Sequence, residues 1–192
     1  MPGYIRKHVM GVEKLRGIMW HVYRMPLTGM VVCALLSALL FARLCQKFAD
    51  RRWLRPCIGI TLAAWFAIVL WMTVLKRIPG SYDVNWVPLH SYPDMLSGKH
   101  PEALRSSFMN VMLFFPAGLL WGGLKNPQIG IRKWIGWMAA LFALFSLGIE
   151  LSQYWLRLGV TEADDILHNT LGAVLGYVSH CRIAALLRKW WD

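Results

Sequence analysis

Five apolar runs, at about 26–45, 57–75, 106–124, 134–156 and 165–187, set the terms for this chain. Each is close to the roughly 20 residues that carry an α-helix across a bilayer. In hydrocarbon every backbone N–H and C=O must find its partner within the segment, so such runs become helices. The expected fold class is therefore all-α, a polytopic α-helical membrane protein with about five transmembrane helices. Pro26 and Pro56 sit just ahead of the first two runs, where a first helical turn tolerates proline. Trp53, Trp71, Trp86, Trp134, Tyr154 and Trp155 gather at run ends, as interfacial aromatics do.

Composition excludes the main competing classes. Of 192 residues, 57% are hydrophobic and 16% charged, which is too apolar for an ordinary soluble domain. The formal net charge of +11 raises a nucleic-acid reading, but the cations stand in short clusters between apolar runs. Arg51, Arg52 and Arg55, then Arg132 and Lys133, then Arg188 and Lys189 are placed like membrane-flanking charges. No basic-aromatic strip accompanies them, so no nucleic-acid partner is expected. Cys33, Cys45, Cys57 and Cys181 form no Cys-x-x-Cys and stand at no metal-ligand spacing with His. They read as small buried hydrophobes, and neither a metal nor a cofactor is expected. Residues 1–25 carry five basic residues, and the first run lacks a clear cleavage site, so it reads as a retained anchor.

The longest connection, 76–107, is rich in turn formers, including Pro79-Gly80-Ser81, Pro88, Pro93-Asp94 and Ser97-Gly98. Connections of this length inside small domains are more often functional or disordered than inert, and its aromatics and prolines favour a packed, re-entrant or surface-lying segment. Pro101 marks the start of the third helix, which runs amphipathically through Glu102 and Arg105 before its apolar part. With five spans, Lys plus Arg divide ten against eleven between the two sides. The short loops then decide, placing 43–56, 125–133 and the C-terminal tail in the cytoplasm.

Polar residues inside the apolar runs carry the functional information. Thr161 and Asp164 have the Thr-x-x-Asp form of a capping box, so a helix is expected to start at Thr161 or just after it. Asp165, His168 and Asn169 follow at i, i+3 and i+4, on one helical face. Gly172 and Gly176 then repeat at the spacing that lets helices approach closely in membranes, as do Gly118 and Gly122. In the third run Asn110 enters an apolar segment, and Pro116 removes one interior hydrogen bond; proline and glycines there read as packing features.

Glu150 lies about two turns before the end of the fourth run, with Gln153 on its face and Ser146 a turn away. A carboxylate at such a depth costs on the order of 3 kcal/mol, which demands a partner or a wet cavity. A structural acid and a functional one fit this equally well. The fourth and fifth runs are joined by a short loop and the third enters from the same side. Asn110, Glu150, Gln153, Asp165, His168 and Asn169 are thus expected to converge on one substrate-binding pocket beneath loop 76–107.

The combination Asn110…Phe114-x-Pro116-x-Gly118, Glu150-x-x-Gln153 and Asp165…Asn169-x-x-Gly172-x-x-x-Gly176, in that order, resembles the VanZ-like family. Asn85-Trp86-Val87-Pro88-Leu89 is similar to that family's Asn-Leu-x-Pro-Phe segment, with Trp86 and Leu89 departing from it. The resemblance covers roughly 57–180, leaving 1–56 as a basic tail, first helix and loop ahead of a VanZ-like domain at 57–192. It implies a multi-pass protein of the bacterial cytoplasmic membrane and a link to glycopeptide (teicoplanin) resistance. Three activities compete on the residues. The first is binding of an envelope lipid headgroup or lipid-linked cell-wall precursor, with Lys76, Arg77, Lys99 and Arg105 meeting phosphates. The second is an intramembrane enzyme with Glu150 and Asp165 as acid and base; no nucleophile is positioned for it. The third, a proton-coupled transporter, lacks the repeats such folds are built from. Membrane lipids are the expected partners, and nothing in the chain sets an oligomeric state.

Overall fold

The computed structural model describes residues 26–80, 83–90, 92–93, 101–126 and 128–191, without the side chains of Pro101, Glu102, Trp190 and Trp191. The chain divides into two compact units, 1–33 and 34–192. Within the first, residues 27–33 are helical. The second holds the rest of the fold.

Five helices are long and apolar enough to cross a membrane. They are α1 (Leu27–Lys47), α2 (Leu54–Leu70, extended to Leu75 by a π-helical turn), α3 (Pro101–Gly123), α4 (Ile131–Leu156) and α5 (Ala163–Trp191). The protein is an all-α polytopic membrane protein. Pro101 does open α3, and Pro116 sits inside that helix without ending it. Outward faces are apolar: Leu36, Leu40, Ile60, Leu144 and Leu171 are exposed, as suits helices surrounded by lipid rather than water. Cys33 and Cys57 are exposed on these faces and Cys45 and Cys181 half-buried, so the expectation of four buried thiols is corrected. In lipid, an outward cysteine is no less apolar a choice.

The centre is the α3–α5 pair. A Cβ at Gly118 would strike the Ala173 carbonyl, one at Gly172 the Val111 carbonyl, and one at Gly176 the Phe115 carbonyl. At Gly118, Gly172 and Gly176 backbone therefore meets backbone, while Gly122 makes room for the His180 ring. Around them Leu62, Val69, Phe114, Met138, Phe142, Ile149 and Tyr177 form the main apolar core, which draws α2 and α4 onto the pair. Trp65 of α2 donates its indole N–H to the Leu113 carbonyl at 3.0 Å, close to the hydrogen-bond gap that Pro116 leaves.

At the end of the bundle where α3 and α5 begin, two short strands pair in parallel, β1 (Asp83–Asn85) and β2 (Val160–Glu162). Asp83 lies opposite Val160, Val84 opposite Thr161, and Asn85 opposite Glu162. This ribbon is absent from the sequence reading, and it corrects the capping box. Helix α5 starts at Ala163; Thr161 belongs to β2, and its buried hydroxyl has no hydrogen-bond partner among the described residues. The bend into β2 is made by Arg157 (φ 53°) and Gly159 (φ 120°). At Gly159 the backbone conformation is one that a residue with a side chain adopts only under strain.

Candidate functional site

The ribbon aligns the polar residues. Asn85 Oδ1 accepts the Val87 N–H at 3.2 Å, and Leu89 turns the chain with φ 64°. The Leu89 N–H then donates to the Asp164 carboxylate in a short bond. Asp164, which reads as a cap in the sequence, thus latches the 83–90 segment onto the first turn of α5. Negative charge there is also favoured by the helix dipole.

Glu150, only 1% exposed, accepts the Glu162 backbone N–H at 3.1 Å through Oε2. Its carboxylate lies within electrostatic reach of Asp165, Arg77 and Glu162. Asp165 is half-buried and takes a hydrogen bond from the Asn110 side chain of α3. Gln153 donates to the Thr73 carbonyl in the π-turn at 3.2 Å and accepts from Arg77 Nη1 at 3.4 Å. Arg77 Nη1 also reaches the Leu158 carbonyl at 3.2 Å, so the guanidinium is held between α4 and its following loop.

Asn169 and His168 belong to neighbouring contacts. Asn169 donates to Ser146 Oγ at 2.8 Å, a turn deeper between α4 and α5, and its own Oδ1 has no partner among the described residues. His168 meets the Tyr92 hydroxyl at 3.2 Å through Nε2, the two rings stacked at 5.9 Å. Its Nδ1 is buried without a partner among the described residues. The shared helical face is real, yet the three residues turn to three different neighbours: Asp165 to α3, Asn169 to α4, His168 to the overlying segment.

A recess of about 380 Å³ opens among Arg77, Ala103, Ser106, Ser107, Val160, Glu162 and Asp165. Ser106 and Ser107 stand one turn before Asn110 on the same face of α3, a spacing by which the sequence signals them. Glu162 enters through strand alternation and was legible only once β2 is known. Its carboxyl is pushed above the ordinary glutamate range, first by burial and then by Asp164, with Asp83 adding to the effect and His90 opposing it. Of the six expected residues, Asp165 lines the recess and Asn110 bonds to it. Glu150 stands behind, bonded to the strand that carries Glu162, and Gln153 steadies Arg77.

Such a wall combines two carboxylates, two hydroxyls and one guanidinium. Carboxylates accept from hydroxyls or ammonium groups, and a guanidinium donates to phosphate or carbonyl oxygens. Among the described residues no group of three or more His, Cys, Asp or Glu is placed to hold a metal ion.

The family model described as VanZ/LLP1 matches residues 58–185, from the start of α2 to the last turns of α5. Protein VanZ of Enterococcus faecium is 26% identical over 118 residues, which span 60% of this chain and 68% of that protein. No solved structure matches the chain.

Proposed function

The chain belongs to the VanZ/LLP1 family, and from that premise we propose that it binds the headgroup of an envelope lipid, or of a lipid-linked cell-wall precursor, in the recess beside Asp165. The observation that carries this reading is a polar recess at the end of a bundle whose helices can lie in lipid, walled by Arg77, Ser106, Ser107, Glu162 and Asp165. Its volume is near the lower end of small-molecule sites, the size of a headgroup or one sugar rather than a whole precursor. Arg77 meets the phosphate. Asp165, with Asn110 fixing its orientation, and Glu162 accept from an amine or sugar hydroxyls. Glu150 is a positioning residue that holds β2 through the Glu162 N–H. We place the protein in the bacterial cytoplasmic membrane, with a role in glycopeptide (teicoplanin) sensitivity as the family resemblance implies.

Native mass spectrometry of the full chain, extracted from bacterial membranes, tests the reading. One retained lipid with an aminated or glycosylated headgroup is expected, and Asn110→Ala should weaken its retention about tenfold. Absence of any lipid above detergent background, across a panel of envelope lipids added back, would overturn it.

One feature favours a second reading: Glu150 and Asp165 lie within electrostatic reach of each other, as an acid/base pair would. An intramembrane enzyme requires that Glu150→Gln abolish conversion of a lipid-linked substrate while retention persists, because an amide cannot exchange the proton.

A further inference from the structure

The opposite end of the bundle carries a second recess, of about 880 Å³, between the ends of α1 and α5. Arg43, Lys47 and Arg188 line it together with Leu44, Gln46 and Leu187, and among the described residues no carboxylate lines it. Gln46 Nε2 donates to the Ala184 carbonyl at 2.8 Å, which fixes the separation of the two walls. A smaller recess of about 330 Å³ shares Arg188 and adds Lys125 and the buried His180, whose Nδ1 has no hydrogen-bond partner among the described residues.

Lys47 and Arg188 occupy last helical turns, where a cation offsets the helix dipole. That does not explain the convergence of cations from two helices on one concavity. Below the cations runs an apolar track: Leu36, Leu40 and Leu44 follow at four-residue spacing on one exposed face of α1, and Leu186 is exposed on α5. Cationic concavity above, exposed leucines below, is the shape of a phospholipid with its chains along a helix. Basic pockets between transmembrane helices take anionic headgroups in this way.

We infer that this recess binds the phosphate of an anionic phospholipid such as phosphatidylglycerol, as a site separate from the one beside Asp165. Arg188 and Lys47 donate to the phosphate oxygens, Arg43 supplies a further charge, and the acyl chains lie on the Leu36–Leu40–Leu44 face. The leucine track is what selects a lipid over free phosphate, since the phosphate chemistry is common to both.

The test uses the full chain in a neutral detergent, offered phosphatidylglycerol, phosphatidylcholine or inorganic phosphate, with bound mass read by native mass spectrometry. Phosphatidylglycerol should be retained in preference to phosphatidylcholine, and excess inorganic phosphate should fail to displace it. Arg188→Gln and Lys47→Gln should each lower that retention about tenfold, the loss of one charge-assisted hydrogen bond. Arg52→Gln, an equal charge change on an exposed residue outside the recess, should leave it unchanged. Thermal melting of each variant verifies that it is folded, and phosphatidylglycerol should raise the melting temperature of the parent and of Arg52→Gln alone. Equal retention of the two lipids, equal losses in Arg52→Gln and Arg188→Gln, or displacement of the lipid by inorganic phosphate would each overturn the inference. Failure here leaves the Asp165 site untouched, because no residue is shared.

Discussion

The two ends of the bundle hold opposite charge in opposite ways. At the end where α5 begins, Glu150 and Asp164 are buried, and each is bonded to a residue far off in the fold or across a turn. At the other end Lys47 and Arg188 are exposed on last turns, and sequence position alone puts them there. The acidic end is thus a product of tertiary structure, and the basic end a product of local sequence on packed helices. Buried charges are screened little and are sensitive to folding; exposed ones are sensitive to salt and indifferent to small structural losses.

The strongest way to break the comparison is to break the bundle. Gly172→Leu or Gly176→Leu drives a side chain into a backbone carbonyl of α3 and should cost about 3 kcal/mol or more. Both ends should be lost together, seen as low detergent-solubilised yield and lowered melting temperature. Asp165→Asn keeps shape and should be far milder.

A sharper cut is Glu150→Ala. It leaves the half-buried Glu162 N–H without its acceptor, at a cost of about 1 kcal/mol, and frees β2. Lipid retention at the acidic end should fall while phosphatidylglycerol retention at the basic end persists. Loss of both would show that the ends are not independent.

Asp164→Ala removes the acceptor for Leu89 and should speed proteolysis within 83–93, at a cost of about 1 kcal/mol. Leu89→Gly relieves a left-handed residue and should recover a similar amount, which melting of the double variant would show.

The smallest effect concerns pH. Glu162 has a raised folded-state pKa, so folding favours its neutral form. Its contribution to stability is fullest below the ordinary glutamate value and declines as pH rises through the raised one. Glu162→Gln should therefore gain on the parent by about a degree or two in melting temperature on passing from acidic to slightly alkaline buffer. A constant difference across that range would remove burial of Glu162 from the picture.

Run lengths made the five helices legible, because a bilayer sets the length of what crosses it. Gly118, Gly122, Gly172 and Gly176 announced the helix contact by spacing alone. Glu150, Asp165 and Asn110 stood out as polar residues in apolar helices, which is a local signal. The β1–β2 ribbon gave none: three-residue strands, with Asp83 opposite Val160, lie below the reach of periodicity. Without the ribbon Thr161 and Asp164 look like a cap, and Glu162 looks like a loop residue. Arg77 was visible as a cation of the long connection, but its hold by Gln153 and Leu158 depends on the turn after α4. His168 and Asn169 share a face in the sequence and separate in the fold, because each side chain follows its nearest polar neighbour.

The most direct measurement is a reciprocal one on two single variants. Full-length Asp165→Asn and Arg188→Gln are extracted side by side, and every retained lipid is identified and quantified by native mass spectrometry. Asp165→Asn should lose the lipid with the aminated or glycosylated headgroup about tenfold and keep phosphatidylglycerol. Arg188→Gln should do the reverse. Retention of the same headgroup lipid at the parent's level in Asp165→Asn would contradict binding at the acidic end.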